Sequence, residues 1–303
     1  MKTPLPQRTH PLPFRRQLPA ALLFLLLFLL FSTPARAAKV LIVGDTQYAM
    51  VADVVADIQA SLRSPSKDYT TAEAKGRLAA IVEREDARVV VALGMEALAE
   101  ALRLPPSISV VYGLVVAPPR SGRTGLTGVY MSPPVGEYLA LLRRYLPALG
   151  RIAVLGTPGM ARSLLGDDAG AVTTYNVNSP AELVTTVSQI SNTRALLLLP
   201  DANLLSAQAM SNVLLQSFKK NIPLLGISEA NVKQGALFAL VFDHKAVSRQ
   251  IGEKAQSILN GVAASELPEA PPRRYNLFIN SNTARKMAIE IPEEMANKAK
   301  RIY

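Results

Sequence analysis

Nine short apolar runs alternate with amphipathic segments from Lys39 onward, and this rhythm restricts the chain to very few folds. The runs are 39–43, 88–93, 108–115, 151–156, 172–177, 195–200, 223–228, 237–242 and 275–279. Most carry Val, Leu or Ile at odd and even positions alike, the pattern of strands covered on both faces by helices. Between them, Val135, Tyr138, Leu139, Leu142 and Leu146 fall on one helical stripe, and Val247, Ile251, Ala255 and Ile258 on another. A third helical stretch covers 206–218. Repeated strand–helix alternation predicts βαβ units and parallel sheets, hence an α/β fold with two doubly wound lobes. The stretch "APPRSGRTGLTG" (117–128), with two prolines and three glycines, reads as a connection between the lobes. "ELPEAPPRR" (266–274) marks a second composition shift before the last strand. The expected division is a lobe over 38–131, completed by about 244–285, a second lobe over 132–243, and a helical tail over 286–303.

The first 37 residues read differently. Lys2, Arg8, Arg15 and Arg16 precede the apolar stretch Leu18–Phe31, and Ala35-Arg36-Ala37 follows as a small-residue cleavage site. That order predicts a cleavable secretory signal, with mature protein starting at Ala38 in the periplasm. The apolar stretch is shorter than the roughly 20 residues that span a bilayer, so the mature chain is expected to be soluble and not membrane-spanning. Arg15-Arg16 leaves general and twin-arginine export both open. The sequence has no cysteine, which excludes a lipid-anchored signal, disulfides and thiolate metal sites. Five cations and no acid lie in residues 1–37, so the formal charge of +10 falls to +5 for the remaining 266 residues. The other basic residues are scattered and there is no Trp, which argues against nucleic acid as a partner.

Three stretches carry a family resemblance: 125–155 ("GLTGVYMSPPVGEYLALLRRYLPALGRIAVL"), 219–261 ("KKNIPLLGISEANVKQGALFALVFDHKAVSRQIGEKAQSILNG") and 276–299 ("NLFINSNTARKMAIEIPEEMANKA"). They resemble the ABC transporter substrate-binding protein family that includes the tryptophan/tyrosine-type periplasmic binding proteins. The resemblance implies a type I periplasmic binding fold, with two α/β lobes, three crossovers and a small ligand held between the lobes. It also implies an inner-membrane ABC permease as partner, with a periplasmic sensory system as the alternative destination of the bound state. The chain departs from the family pattern at "YGLVVAPP" (112–119), where many members carry Asp-Pro, and at Leu126, where many carry Asn. Aromatic amino acid specificity is therefore not carried over.

In open α/β sheets, ligands bind beyond the carboxyl ends of the strands. The candidates are the polar or permissive residues just past each apolar run. They are Asp45, Thr46, Gly94, Met95 and Tyr112 in the first lobe, and Thr157, Asp201, Asn203, Ser228, Glu229 and Asp243 in the second. Each has a simpler reading as a helix cap, a turn former or a partner of a helix dipole. Backbone amides at helix starts after glycines suit a carboxylate. Asp201, Glu229 and Asp243 suit an ammonium, and the set together suits an amino-acid-like or other small polar solute. Asp201 stands out because it ends the run "ALLLLP", and both roles are open to it: a cap, or a contact to a cationic ligand group. A hydrolase is the rival of another class. "GISEA" (226–230) departs from the nucleophile-elbow pattern G-x-S-x-G at its last position, and the only histidine after the signal is His244. One histidine and no cysteine argue against a transition-metal site, and no G-x-G-x-x-G or Walker loop calls for a cofactor.

Overall fold

The computed structural model describes residues 39–303, so the expected signal and Ala38 lie outside the described residues. The first sheet holds β1 (Lys39–Val43), β2 (Ser66–Tyr69), β3 (Ala87–Leu93), β4 (Ser109–Val115) and β5 (Leu126–Tyr130). They lie in the order β2-β1-β3-β4-β5, all parallel. The second sheet holds β6 (Ile152–Gly156), β7 (Thr173–Asn176), β8 (Ala195–Leu198), β9 (Leu224–Gly226), β10 (Phe238–Phe242), β11 (Tyr275–Ile279) and β12 (Ala299–Ile302). Its order is β12-β11-β10-β9-β8-β6-β7. Strands β6 to β10 are mutually parallel, and β11 runs antiparallel to β10.

The apolar runs work as expected of strands covered on both faces. In β8, Ala195 and Leu197 join one apolar layer while Leu196 and Leu198 join the opposite one. Both layers are helix-built: Tyr138 and Leu142 of the helix Val135–Tyr145 cover the first, and Val213 and Leu214 of the helix Ala207–Lys220 cover the second. In β3, Val90 and Ala92 face one layer of the first lobe, and Val89, Val91 and Leu93 face the other. Each such side chain removed from water contributes about 1.5–3 kcal/mol, so these inner strands are held from two sides, whereas the edge strands β2, β7 and β12 are largely exposed.

Helix ends follow local chemistry. Ser206 accepts a hydrogen bond from the Ala209 amide at 3.2 Å, and Asn221 closes that helix in the left-handed region at φ 53°. The helix His244–Leu259 lies on the first lobe, where Val247, Ile251 and Ala255 share a layer with Val51, Val54 and Ile58 of the helix Ala49–Ser61.

The chain passes between the sheets three times: after β5, at Asp243 after β10, and before β11. On the third passage the chain first lies beside β5, where the Ala270 amide donates to Gly128 O at 3.1 Å and the Tyr130 amide to Ala270 O at 3.2 Å. The buried Lys254 ammonium fixes this segment by donating to Pro268 O at 2.5 Å. Burial pushes its pKa down.

Three expectations are corrected by this topology. Residues 275–285 do not complete the first lobe, because β11 pairs with β10 from Phe238↔Ile279 to Phe242↔Tyr275. The tail is not all helical: after the helices Ser281–Lys286 and Glu293–Asn297 the chain ends in β12, parallel to β11. The segment 117–128 is not a connection between lobes. It leaves β4 and returns to the same sheet as β5, with Val110 beside Leu126 and Tyr112 beside Gly128.

Candidate functional site

The carboxyl ends of β3 and β4 in the first lobe and of β6 and β8 in the second border one cleft of about 520 Å³. That volume lies in the range of small-molecule sites. From the first lobe come Met95, directly after β3 and 61% exposed, and Val116–Arg120 beyond β4. From the second come Thr157, Met160, Ser163, Pro200, Asp201 and Asn203. Four of the eleven sequence candidates therefore meet in one place: Met95, Thr157, Asp201 and Asn203.

Local geometry explains how the strands deliver them. Gly94 adopts φ 92°, a backbone state open to glycine, and its amide donates to Gly113 O at 2.9 Å, so the chain leaves β3 in a tight turn with Met95 at the start of the next helix. Thr157 caps the helix Pro158–Leu164 by accepting from the Met160 amide at 3.4 Å, and its hydroxyl donates to Asp201 Oδ2 at 2.9 Å. The other carboxylate oxygen, Asp201 Oδ1, accepts from the Asn203 amide at 3.0 Å. Asp201 thus closes an Asx-type turn and ties the ends of β6 and β8 together.

Opposite stands the loop that joins β4 to β5. Leu114 takes φ 54°, unusual for a non-glycine residue, and the register of β4 against β5 shifts between Tyr112 and Val115. The chain then runs along the cleft to Arg120, whose Nη2 donates to Gly159 O of the second lobe at 3.1 Å. The return leg is anchored by Arg123, whose guanidinium donates to Leu104 O at 2.5 Å, Pro105 O at 2.8 Å and Ile108 O at 2.5 Å. The Pro/Gly content signalled a loop, but nothing in it signalled that its arginine spans to the other lobe.

A family model described as ABC transporter substrate binding protein matches residues 68–303. The chain belongs to this family. An uncharacterized protein of Rickettsia prowazekii (strain Madrid E) is 30% identical over 106 residues, 35% of this chain and 34% of that protein, so the chain spans about a third of that relative's length. Among solved structures, the ligand-free, open form of a Clostridium difficile substrate-binding protein with adhesive properties is similar at TM-score 0.64 and 17% identity, covering 87% of this chain and 98% of that one. An ABC domain from Streptococcus pneumonia in complex with L-Trp is similar at TM-score 0.55 and 17% identity, covering 88% and 100%. A conserved domain protein of Vibrio cholerae matches at TM-score 0.58 and 19% identity over 88% and 100%. At these identities the structures speak for the fold, a type I periplasmic binding fold with two parallel-sheet lobes.

In this substrate-binding protein the remaining candidates stand elsewhere. Asp45 and Thr46 follow β1, half-buried, with the Thr46 amide donating to Gly44 O at 3.0 Å. Tyr112 does not end a strand: β4 runs on to Val115, and Tyr112 is fully buried in the first lobe, where its pKa is raised chiefly by burial. Ser228 caps the helix Glu229–Gln234 by accepting from the Asn231 amide at 3.1 Å. Glu229 is turned to the C-terminal strand, where it accepts from the Tyr303 hydroxyl and pairs with Lys233 at 3.2 Å. Those hydrogen bonds lower its pKa. Asp243 caps the helix His244–Leu259 through the Ala246 amide at 2.9 Å, at the second passage between lobes, and this backbone bond lowers its pKa.

Among the described residues, no hydrogen bond joins Ser228 to His244, the pair a hydrolase reading needs. The Ser228 oxygen accepts from the Asn231 amide, and the His244 ring lies edge-on to Phe242 at 4.7 Å between centroids. Among the described residues, no group of three or more His, Asp or Glu side chains is placed to hold a metal ion.

Proposed function

We propose that this chain is an exported solute-binding protein that captures a small, amino-acid-like or otherwise polar solute between its lobes and presents it to an inner-membrane ABC permease. One observation carries the reading: strand ends of both lobes converge on a single cleft, and the lobes are joined by three passages of chain able to act as a hinge. Hinge closure about bound ligand is the usual motion of this architecture. Membership of the substrate-binding family supports the permease as recipient. The similar S. pneumonia domain was solved with L-Trp, which supports the amino-acid-like size class. No catalytic step enters this reading.

The charged, apolar and small-residue order of residues 1–37 supports export to the periplasm without a lipid anchor. Among the described residues, no helix is long and apolar enough to cross a membrane.

The test has two parts. Purified periplasmic protein should sequence from Ala38, and a start at Met1 argues against export. A melting-temperature screen of amino acids, organic acids, sugars, nucleosides and amines should return a ligand. A ligand at 100 times its dissociation constant adds about 2.7 kcal/mol of stability, and a flat screen across all classes counts against solute binding.

A further inference from the structure

The two charged side chains lining the cleft differ in how much hydrogen-bonding capacity remains for a ligand. Asp201 has a protein donor on each oxygen, the Thr157 hydroxyl on Oδ2 and the Asn203 amide on Oδ1, which takes two of its roughly four acceptor sites. Arg120 uses one of its five N–H donors, on Gly159 O at 3.1 Å. Among the described residues, no carboxylate lies within ion-pair distance of Arg120. Around both charges the wall is largely apolar, with Met95, Pro118, Pro119, Met160 and Pro200.

A guanidinium with free donors beside an apolar wall matches a planar carboxylate on an apolar body, because its fork donates to two carboxylate oxygens in parallel. Arg120 is also delivered by a loop whose base is fixed, since Arg123 holds three carbonyls of the first lobe. Building the fork on an anchored loop lowers the ordering cost of binding.

We infer that Arg120 is the specificity-determining residue of the cleft and that its ligand is a small organic acid with an apolar body, for which an amino group is not required. The inference rests on the solute-binding reading and narrows it. On binding, the ligand carboxylate occupies the remaining donors of Arg120, beside the bond to Gly159 O.

The test uses the mature protein and probes matched in shape: 4-methylpentanoate against 4-methylpentanamide, 3-phenylpropanoate against its amide, with leucine, phenylalanine and isoamylamine alongside. The expected result is that the acids raise the melting temperature and bind in calorimetry, whereas the amides and the amine do not. Arg120→Gln should weaken the acids about 10- to 100-fold, the range of a charge-assisted bond, and Arg120→Lys should recover part of the loss. Unliganded melting of both variants should match wild type, because the side chain is exposed. Amides binding as well as acids, acids binding Arg120→Gln unchanged, or acids failing to bind would each overturn the inference. A sugar or nucleoside found by the broad screen, with the acids silent, overturns the acid assignment alone. A broad screen silent in every class removes the solute-binding reading beneath it.

Discussion

The Thr157 hydroxyl donates to Asp201 Oδ2 at 2.9 Å, joining the loop after β6 to the loop after β8 across the floor of the cleft. With Asn203 N–H on Oδ1 at 3.0 Å, this bond makes Asp201 a structural tie between two strand ends. Asparagine keeps one acceptor oxygen and offers its NH₂ to the Thr157 oxygen, so Asp201→Asn should change stability by less than about 0.5 kcal/mol, asparagine and aspartate capping about equally. Asp201→Ala loses both bonds and should cost about 1–2 kcal/mol. Urea unfolding of the two variants checks this. Tenfold weaker ligand binding by Asp201→Asn at unchanged stability would instead make the charge a ligand contact.

Arg123 is the second tie. Its three bonds to Leu104, Pro105 and Ile108 carbonyls fix the loop whose tip bears Arg120. Removing the guanidinium leaves three carbonyls without that donor, and Arg123→Ala should lower stability by roughly 1.5–3 kcal/mol, the scale of bonds to a charged donor. The contrast with Arg120→Gln is the informative part. Two arginines three residues apart should differ, one acting on stability in urea titrations and the other on ligand.

How far the sequence carries can be judged at particular residues. Strands with Val, Leu or Ile on both faces announce themselves, as at Val89–Leu93 and Ala195–Leu198, because two helical layers demand apolar side chains at every position. The strands that were missed lie at sheet edges or carry glycine. Ser66–Tyr69 ("SKDY") has only one strand neighbour and no apolar run, and Ala299–Ile302 ("AKRI") is likewise an edge. Leu126–Tyr130 hid behind Gly128, which reads as a turn residue but serves a close strand contact. At the cleft, strand-end reasoning locates Thr157 and Asp201 on its border, since strand ends are fixed by the fold. It could not foresee the surroundings of Glu229, because the Tyr303 side chain that donates to it lies 74 residues away in the chain. It failed for Arg120 for the same reason, with Gly159 lying 39 residues on.

A pH dependence is expected from Glu85, outside the cleft. Its Oε1 accepts from Lys67 Nζ at 2.8 Å, the Tyr69 hydroxyl at 2.8 Å and Arg84 Nε at 3.2 Å. The Lys67 bond first, then the Tyr69 bond, hold its carboxyl at about 2 against an ordinary 4.5. A carboxyl lowered in the folded state contributes stability that is fully present above the unfolded value and lost as pH falls through the folded one. Wild-type protein should therefore lose stability between about pH 4.5 and 2. Glu85→Gln should start less stable at neutral pH and show a shallower decline over that window. Urea midpoints at pH 6, 4, 3 and 2 measure it, and parallel curves for the two proteins would show that the cluster makes no contribution.

Gly128 gives the sharpest test of how the lobes are joined. It sits opposite Tyr112 in the β4–β5 pairing, and a Cβ added there would lie 2.5 Å from the Tyr112 carbonyl oxygen as well as against the ring. The ring is fully buried and the carbonyl belongs to a central strand, so neither can move aside without shifting β4. Overpacking of this kind costs about 1–3 kcal/mol, and Gly128→Ala should lower stability by at least that range. Trimming the ring does not remove the backbone clash, so Tyr112→Leu combined with Gly128→Ala should remain well below Tyr112→Leu alone. The consequence reaches the hinge. Gly128 O accepts the Ala270 amide, and Tyr130, two residues on, donates to Ala270 O. A displaced β5 therefore disturbs the first and third passages between lobes together. Amide hydrogen exchange on Gly128→Ala should accordingly rise both at Ala270 and at Tyr130 while the second-lobe strand Ala195–Leu198 stays protected. Faster exchange confined to β5, with Ala270 unchanged, would show that the segment beside it is held by Lys254 rather than by the strand.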